Sequence, residues 1–248
     1  MKTLCTLGLS LTLATMPAFG FEMPKDESTA QFVTSNVIAT FYHELGHALI
    51  DVLALPVLGK EEDAADGLAS VLTHYIWDEE TATQITYDTA NGFALWAAEP
   101  EGWDSAFADT HSLDQQRYYS TVCLFYGANP EARAAVAVDL ELPEDRAALC
   151  PEEFAQVDAS WSAMLEGLEP GWDSYGLVLV NADEADPISQ ILAEEIADLN
   201  GRYGLPQEVQ VSVEPCGEAN AFYFPGEYRI IMCTEYAEAL AQLWEQAE

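Results

Sequence analysis

Basic residues are scarce in this chain. Its 248 residues include eight lysines and arginines against 43 aspartates and glutamates, and its formal net charge at pH 7 is −35. Such a charge repels nucleic-acid phosphates and anionic membrane headgroups, so we expect neither nucleic acid nor membrane as a partner. The acidic residues are spread along the chain, which favours a solubility adaptation over a dedicated cationic partner. Half of the residues are hydrophobic, so the chain can bury a core.

Long apolar runs are also lacking, apart from a short one near the N-terminus. Lys2 precedes an apolar stretch over residues 4–16, and residues 18–20 form a small-residue end. This layout is typical of a secretory signal peptide over residues 1–20, and the stretch is too short to span a bilayer. No later segment is apolar enough for a transmembrane helix. We therefore expect an exported protein, periplasmic or secreted.

Cysteine pairs with the close CxxC spacing of a zinc ribbon are absent as well. Cys5 falls in the predicted signal peptide, which leaves four cysteines. An even number in an exported protein indicates two disulfides, and three pairings are possible. Clustering along the chain favours Cys123–Cys150 and Cys216–Cys233, each of which closes a modest loop.

Helical periodicity dominates up to residue 168 and then gives way to a mixed pattern. The predicted helices of the first part cover 32–55, 61–77, 78–92, 113–126, 130–141 and 151–168, with an irregular segment at 93–111. The second part has predicted strands at 177–180 and 208–213, a hairpin of 222–224 with 228–233, and helices at 187–199 and 235–246. This predicts an α+β fold with a mostly helical N-terminal lobe (residues 21–168) and a smaller C-terminal α/β lobe (residues 169–248).

An HExxH pattern lies inside the first predicted helix. His43 and His47 are four residues apart, so they lie on one face and can offer two nitrogens to one ion. Glu44 beside them is positioned to take a proton from a metal-bound water. Zinc would lower the pKa of that water from about 15.7 toward about 7 and polarise a scissile carbonyl. The alternative is a surface helix with two unrelated histidines.

A catalytic zinc needs a third protein ligand, and the next predicted helix begins with an acidic run. Glu62 and Asp66 are again four apart, so one can ligate zinc while the other hydrogen-bonds the far nitrogen of a ligating histidine. A turn over residues 56–60 brings this helix back antiparallel to the first. Glu61 and Asp63 are fallback ligands. The alternative is a solvated acidic helix N-terminus.

HELGH on one helix followed by ExxxD on the next resembles the gluzincin class of zinc peptidases. More narrowly, the chain resembles a bacterial family described only as putative metallopeptidases. That resemblance implies a zincin-like fold, with zinc held by His43, His47 and Glu62 and with Asp66 orienting a ligating histidine. It implies a reaction class but no substrate. The similar segments are FYHELGHALID (41–51), LPVLG (55–59), EEDAAD (61–66), LDQQRYY (113–119), CLFYG (123–127) and NAFY (220–223).

Two further histidines and an arginine are candidates for other roles. His111 and Arg117 resemble in placement a histidine and an arginine that help hold the oxyanion in some gluzincin-like enzymes. A donor aimed at the tetrahedral intermediate would be worth roughly 3 kcal/mol. The alternative is a loop histidine and a salt-bridged arginine. We expect His74 to be packed and hydrogen-bonded and not to be a ligand.

The segment 220–225, with 228–232, resembles the edge strand along which many zinc peptidases pair an extended substrate. In those enzymes the strand usually precedes the HExxH helix, whereas here it follows. The alternative is an ordinary disulfide-pinned hairpin.

The sequence therefore predicts an exported zinc-dependent metallopeptidase that hydrolyses peptide bonds in a peptide or protein substrate, through a zinc-bound water activated by Glu44. The first alternative is a zinc-binding but non-proteolytic exported binding or regulatory protein. Glu44 favours the enzyme, because a purely structural zinc site needs no base and usually has four protein ligands. A second alternative is a helical exported protein whose HExxH is coincidental. The oligomeric state is not indicated.

Overall fold

The structure is a computed structural model that describes residues 21–98 and 103–247. The predicted signal peptide lies outside the described residues. The helices are α1 (Glu27–Val52), α2 (Glu61–Ile76), α3 (Glu79–Ala98), α4 (Trp103–Ala108), α5 (Asp114–Ala128), α6 (Ala134–Asp139), α7 (Glu144–Ala147), α8 (Cys150–Leu165), α9 (Pro187–Arg202) and α10 (Thr234–Ala247). The strands are β1 (Leu177–Leu179), β2 (Val209–Glu214), β3 (Ala221–Phe224) and β4 (Arg229–Cys233).

Helix α1 lies at the centre of the molecule. Its first turn is capped by Asp26, whose carboxylate accepts a hydrogen bond from the backbone N–H of Thr29 at 2.8 Å. The helix packs against α2, α3, α9, α10, β3 and β4. Phe32 and Phe41 are fully buried, because residues on several sides of α1 face other elements. A helix surrounded in this way gives its polar residues fixed surroundings.

The sheet has the strand order β1-β2-β4-β3. Strands β1 and β2 are parallel and are connected by α9, as a parallel pair requires a crossover. Strands β2 and β4 are also parallel, and β3 pairs antiparallel with β4 at one edge. The hairpin turn uses Gly226 at φ 82° and Tyr228 at φ 51°. The predicted α+β class and the predicted hairpin are confirmed.

Several predicted boundaries are wrong. Helix α1 begins at Glu27 and not at residue 32, because Asp26 caps it, and the helix predicted at 130–141 covers only Ala134–Asp139. Residues 93–111 are not wholly irregular, since α3 continues to Ala98 and α4 covers Trp103–Ala108. The reason is that Phe93 and Trp96 continue the helical stripe of α3 that faces the centre of the molecule. Helix α9 also runs past the expected stop at Asn200-Gly201. The Asn200 side chain bonds the backbone N–H and C=O of Leu177, both at 2.8 Å, so it joins α9 to β1.

One hydrophobic core is shared by elements on both sides of residue 168. It includes side chains of α1, α2, α9, β2, β4 and α10, such as Phe41, Leu68, Leu192, Val211, Ile230 and Leu240. The division into lobes at residues 168 and 169 stays a prediction. A second, smaller cluster surrounds Cys123 and Cys150.

The cysteines lie at disulfide distance in the pairing that the sequence favours. The Cα–Cα distance is 5.1 Å for Cys123–Cys150 and 5.5 Å for Cys216–Cys233. Two such pairs are typical of proteins in an oxidising compartment. Within residues 21–98 and 103–247, no helix is long and apolar enough to cross a membrane.

Candidate metal centre

Helices α1 and α2 run antiparallel and touch at Gly46. A Cβ atom on Gly46 would lie 2.8 Å from the Cα and 2.9 Å from the Cβ of Ala65, closer than Cβ atoms approach in real proteins. Glycine at this position therefore permits the two helices to come so close. The contact places the histidine face of α1 against the first turns of α2, which carry Glu62 and Asp66.

Three acceptor atoms converge between these helices. His43 Nε2 lies 3.2 Å from His47 Nε2 and 3.2 Å from Glu62 Oε2, and His47 Nε2 lies 3.1 Å from the same oxygen. The far nitrogens face carboxylates: His43 Nδ1 is 2.7 Å from Asp66 Oδ1, and His47 Nδ1 is 2.8 Å from Glu61 Oε1.

A histidine that donates through Nδ1 can present the lone pair of its Nε2, so these partners favour the tautomer that directs both lone pairs at one point once a cation replaces the Nε2 protons. Such a donor set suits a divalent cation, because a cation stabilises acceptors that would otherwise repel one another. His43, His47 and Glu62 thus form a group able to hold a metal ion.

Arg117 of α5 fixes Asp66. Its Nε and Nη2 donate to the two carboxylate oxygens at 2.8 and 2.7 Å, and its guanidinium lies 4.3 Å from the ring centre of Phe93. Burial opposes ionisation of Asp66, but the charge and hydrogen bonds of Arg117, with those of His43, hold its pKa well below its usual range. Asp66 is therefore an ionised acceptor for His43, and Arg117 acts on His43 through it. A role of Arg117 as oxyanion donor stays a prediction.

The two fallback ligands make other contacts. Glu61 accepts from His47 Nδ1, in the same way that Asp66 accepts from His43, although its side chain is half exposed. Asp63 accepts a hydrogen bond from Ser112 Oγ at 2.6 Å, so it ties α2 to the loop before α5. Each histidine of the group thus has its own carboxylate partner.

The same loop brings His111 to the group. Its Nε2 lies 3.0 Å from Glu62 Oε2, its Nδ1 lies 2.9 Å from Asp109 Oδ1, and its carbonyl accepts from Lys60 Nζ at 2.7 Å. Burial opposes ionisation of Glu62, but hydrogen bonds from His111, His43 and His47 hold its pKa well below its usual range. The side chain of His111 is 41% exposed and faces the cleft described next. The predicted oxyanion role of His111 is untested by these contacts.

Glu44 and the metal-binding group line a cleft of about 970 Å³. Its walls are α1, α2, α3 and α5, and β3 and Tyr236 of α10 border it on another side. Burial raises the pKa of Glu44, and the charges of His43 and His47 partly oppose this. A carboxylate with a raised pKa is suited to accept and return a proton near neutral pH.

His74 belongs to a different cluster, near the other end of α2. Arg133, only 1% exposed, donates to Glu79 through Nε and Nη2 at 2.8 Å each and to the carbonyl of Phe125 at 2.8 Å. Its Nη2 also lies 3.1 Å from His74 Nδ1, and the guanidinium stacks 3.6 Å over the ring centre of Phe125. The prediction that His74 is packed and hydrogen-bonded is confirmed. We call this cluster the Arg133 site.

Three features of the metal-binding group were missed or incompletely assigned by sequence reasoning. Gly46 sits within the HELGH motif and its small size was a usable signal. Glu61 was considered only as a ligand, although a carboxylate near a histidine can also orient it. The partnership of Arg117 with Asp66 joins residues 51 positions apart, for which the local pattern carries no signal.

The fold and the site together define an α+β protein with a His-His-Glu group that can hold a metal ion between two antiparallel helices. The chain belongs to the family described as "Putative metallopeptidase" (DUF4344), whose sequence profile matches residues 9–165 and 184–248. Among curated proteins and among solved structures, no match to the chain is found.

Proposed function

We propose that this protein is an exported zinc-dependent metallopeptidase with a zincin-like active site. The observation that carries the proposal is the convergence of His43 Nε2, His47 Nε2 and Glu62 Oε2 within 3.2 Å of one another, beside the buried carboxylate of Glu44. Three protein ligands leave a coordination position open, as in catalytic zinc sites, whereas structural sites usually have four. The family description supports the same reaction class.

His43, His47 and Glu62 would hold the zinc ion, whose chemistry is to lower the pKa of a bound water and to polarise the peptide carbonyl. Glu44 accepts the proton of the attacking water and returns it to the leaving amine, for which its raised pKa is suited. Asp66 keeps His43 in the tautomer that presents Nε2, and Glu61 does the same for His47. His111, which lines the cleft, would donate to the developing oxyanion.

The outer edge of β3 supports a binding site for an extended peptide. Asn220 C=O accepts from Cys233 N–H at 3.1 Å, and in an antiparallel pair the residues that face the partner strand alternate. The backbone groups of Ala221 and Tyr223 therefore point to the outer edge of the sheet, where both residues line the cleft. We propose that the substrate backbone pairs with this edge, so that its peptide bond reaches the metal-binding group.

The two cysteine pairs support export, because disulfides persist in oxidising compartments. The charge of the chain supports a protein or peptide partner over a nucleic acid or an anionic membrane.

The proposal is tested with the mature chain, purified and loaded with zinc. We expect one zinc per chain, cleavage of a mixed peptide library by the wild type, and loss of cleavage by roughly 10²–10⁴-fold in Glu44→Gln with zinc retained. Glu238→Gln, an exposed glutamate of α10, is the matched control and should cleave normally.

Failure to bind zinc at micromolar concentration would overturn the metal site. Zinc binding without cleavage by the wild type would favour the alternative of a non-proteolytic exported protein. Equal cleavage by wild type and Glu44→Gln would remove Glu44 from the reaction.

A further inference from the structure

The cleft extends well beyond the metal-binding group. On α2 the lining residues after Asp66 are Ala69, Ser70 and Thr73, and on α5 those after Arg117 are Thr121 and Phe125. These residues follow at helical spacing, so each helix contributes one continuous stripe that leads away from the group. We call the part of the cleft lined by Ala39, Ala69, Thr73, Ile85, Thr89 and Phe125 the inner chamber.

The inner chamber is uncharged, in contrast to the metal end. None of the residues that define the chamber is charged. The acidic and basic residues that line the cleft, histidines included, are His43, Glu44, His47, Lys60, Glu61, Glu62, Asp66, Asp109, His111, Asp114 and Arg117. Arg133 lies against the ring of Phe125 but is not a lining residue. A cationic or anionic group placed in the chamber would lose its hydration and gain no partner there, which is costly.

Two threonine hydroxyl groups, one in the chamber and one beside it, donate within their own helices. Thr73 Oγ1 donates to the Ala69 carbonyl at 2.8 Å, and Thr86 Oγ1 donates to the Ala82 carbonyl at 2.9 Å. Thr89 Oγ1 is buried and has no hydrogen-bond partner among the described residues. The surface that the chamber offers to a ligand is thus composed largely of methyl, methylene and aromatic carbon.

We propose that the inner chamber is a specificity pocket for a bulky uncharged side chain, aromatic or branched aliphatic, of the substrate residue next to the scissile bond. The inference rests on the proposed peptidase function, because the chamber is continuous with the metal-binding group. Filling it removes apolar surface from water on both partners. The strongly acidic exterior does not govern this choice, because the chamber walls carry no charge.

The test uses zinc-loaded mature chain and peptides that are identical except for Phe, Leu, Ala, Lys or Asp at the residue next to the cleaved bond. For the wild type we expect kcat/KM to be at least roughly tenfold higher with Phe or Leu than with Ala, and lowest with Lys and Asp. Ala69→Leu narrows the chamber and should lower kcat/KM for the Phe peptide by roughly tenfold while changing the Ala peptide less than about threefold.

Ala97→Leu makes the same chemical change on the exposed side of α3 and should leave the peptide order unchanged. If Ala69→Leu does not fold, Thr89→Leu narrows the chamber from the opposite wall and should give the same result. Thermal melting and zinc content identify a folded variant.

Binding provides a readout that does not need cleavage. In zinc-loaded Glu44→Gln, calorimetry should show the same peptides binding in the order Phe or Leu, then Ala, then Lys and Asp. The pocket proposal is overturned if a charged side chain is preferred, or if all peptides bind and react equally well. It is also overturned if Ala69→Leu slows the cleavage of all peptides equally. If the wild type cleaves no peptide but the binding order holds, the chamber is a binding pocket for bulky uncharged side chains and the peptidase proposal fails.

Discussion

Two buried arginine–histidine clusters lie near opposite ends of α2, and they differ in what their histidines face. In the cluster of Arg117, Asp66 and His43, which we call the Arg117 site, the guanidinium donates to the carboxylate of Asp66. That carboxylate contacts His43 Nδ1 and leaves Nε2 of the histidine directed at Glu62. In the Arg133 site, the guanidinium itself is next to His74 Nδ1. The first cluster brings several acceptor atoms together around one point. In the second cluster, the guanidinium donates to the acceptor atoms that surround it.

The comparison shows why residue type alone does not identify a functional site. Arginine, histidine and a carboxylate occur in both clusters. Burial and the charge of Arg133 lower the pKa of His74, so this histidine stays neutral. Burial also opposes protonation of His43, but hydrogen bonds to Asp66 and Glu62 raise its pKa to about 9. Without a metal, a proton compensates for the clustered acceptors at His43, and a cation can take its place.

Removing the guanidinium of the Arg133 site should have the largest effect on stability. Arg133→Met leaves the carbonyl of Phe125 without its donor and Glu79 without its ion pair, at a cost of about 3 kcal/mol of unfolding free energy. Urea unfolding measures this. Zinc content per folded chain should not change, because the site holds no metal ligand. Arg202→Met, which breaks an exposed pair with Asp198, is the control and should cost less than about 1 kcal/mol. Loss of zinc in Arg133→Met would contradict the separation of the two sites.

Asp66→Asn should weaken the metal site itself. The amide keeps the shape of the carboxylate but accepts more weakly from His43 Nδ1, so zinc affinity should fall 10- to 100-fold, or about 1.4–2.7 kcal/mol. Competition with a chromophoric chelator gives this value. Asp63→Asn on the same helix removes a charge that faces Ser112, and its zinc affinity should stay within about threefold of the wild type. Equal losses in both variants would mean that general charge, not orientation of His43, determines affinity.

Zinc affinity should also depend on pH in a direction set by His43. Its raised pKa of about 9 means that the metal-free protein carries a proton there at neutral pH, and zinc binds only the neutral ring. Affinity should therefore rise with pH, roughly tenfold or about 1.4 kcal/mol per pH unit for each proton released, and level off above about 9. The stability of the metal-free chain should change with pH in the opposite direction to zinc affinity. The stability that protonated His43 contributes is fully present below the pKa of this histidine in the unfolded chain, and it is lost as pH rises through about 9. Chelator titrations from pH 6 upward measure the zinc affinity, and unfolding curves of the metal-free chain measure its stability. A zinc affinity that does not change with pH would contradict the assignment of His43 as a ligand that releases a proton.

The smallest effect is expected from Lys60→Met. Lys60 Nζ holds the carbonyl of His111, and an exposed contact of this kind contributes less than about 1 kcal/mol. We expect cleavage to slow by a few-fold with unchanged zinc affinity, because His111 is loosened while the three ligands are not. Lys25→Met removes an exposed lysine before α1 and should leave cleavage unaltered. A drop in zinc affinity would place His111 among the metal ligands.

Much of the metal-binding group follows from local spacing. His43 and His47 share a face because they are four apart on one helix, and the short turn before α2 returns Glu62 and Asp66 to that face. What spacing could not predict depends on contacts between distant segments. The pairing of Arg117 with Asp66, the burial of Arg133 and the close approach at Gly46 become visible only when the helices are packed. The sheet order likewise depends on tertiary pairing, although each strand has a clear apolar pattern.

The contact between Gly46 and Ala65 lies between the two functional ends of α2. Glu62 is three residues to one side of Ala65, and Thr73 is eight residues to the other side, in the inner chamber. Both residues belong to one continuous helix, and that helix is held close to α1 only because residue 46 has no side chain. A larger residue at position 46 would push α2 away from α1, and would therefore change the spacing of the ligands and the width of the chamber together.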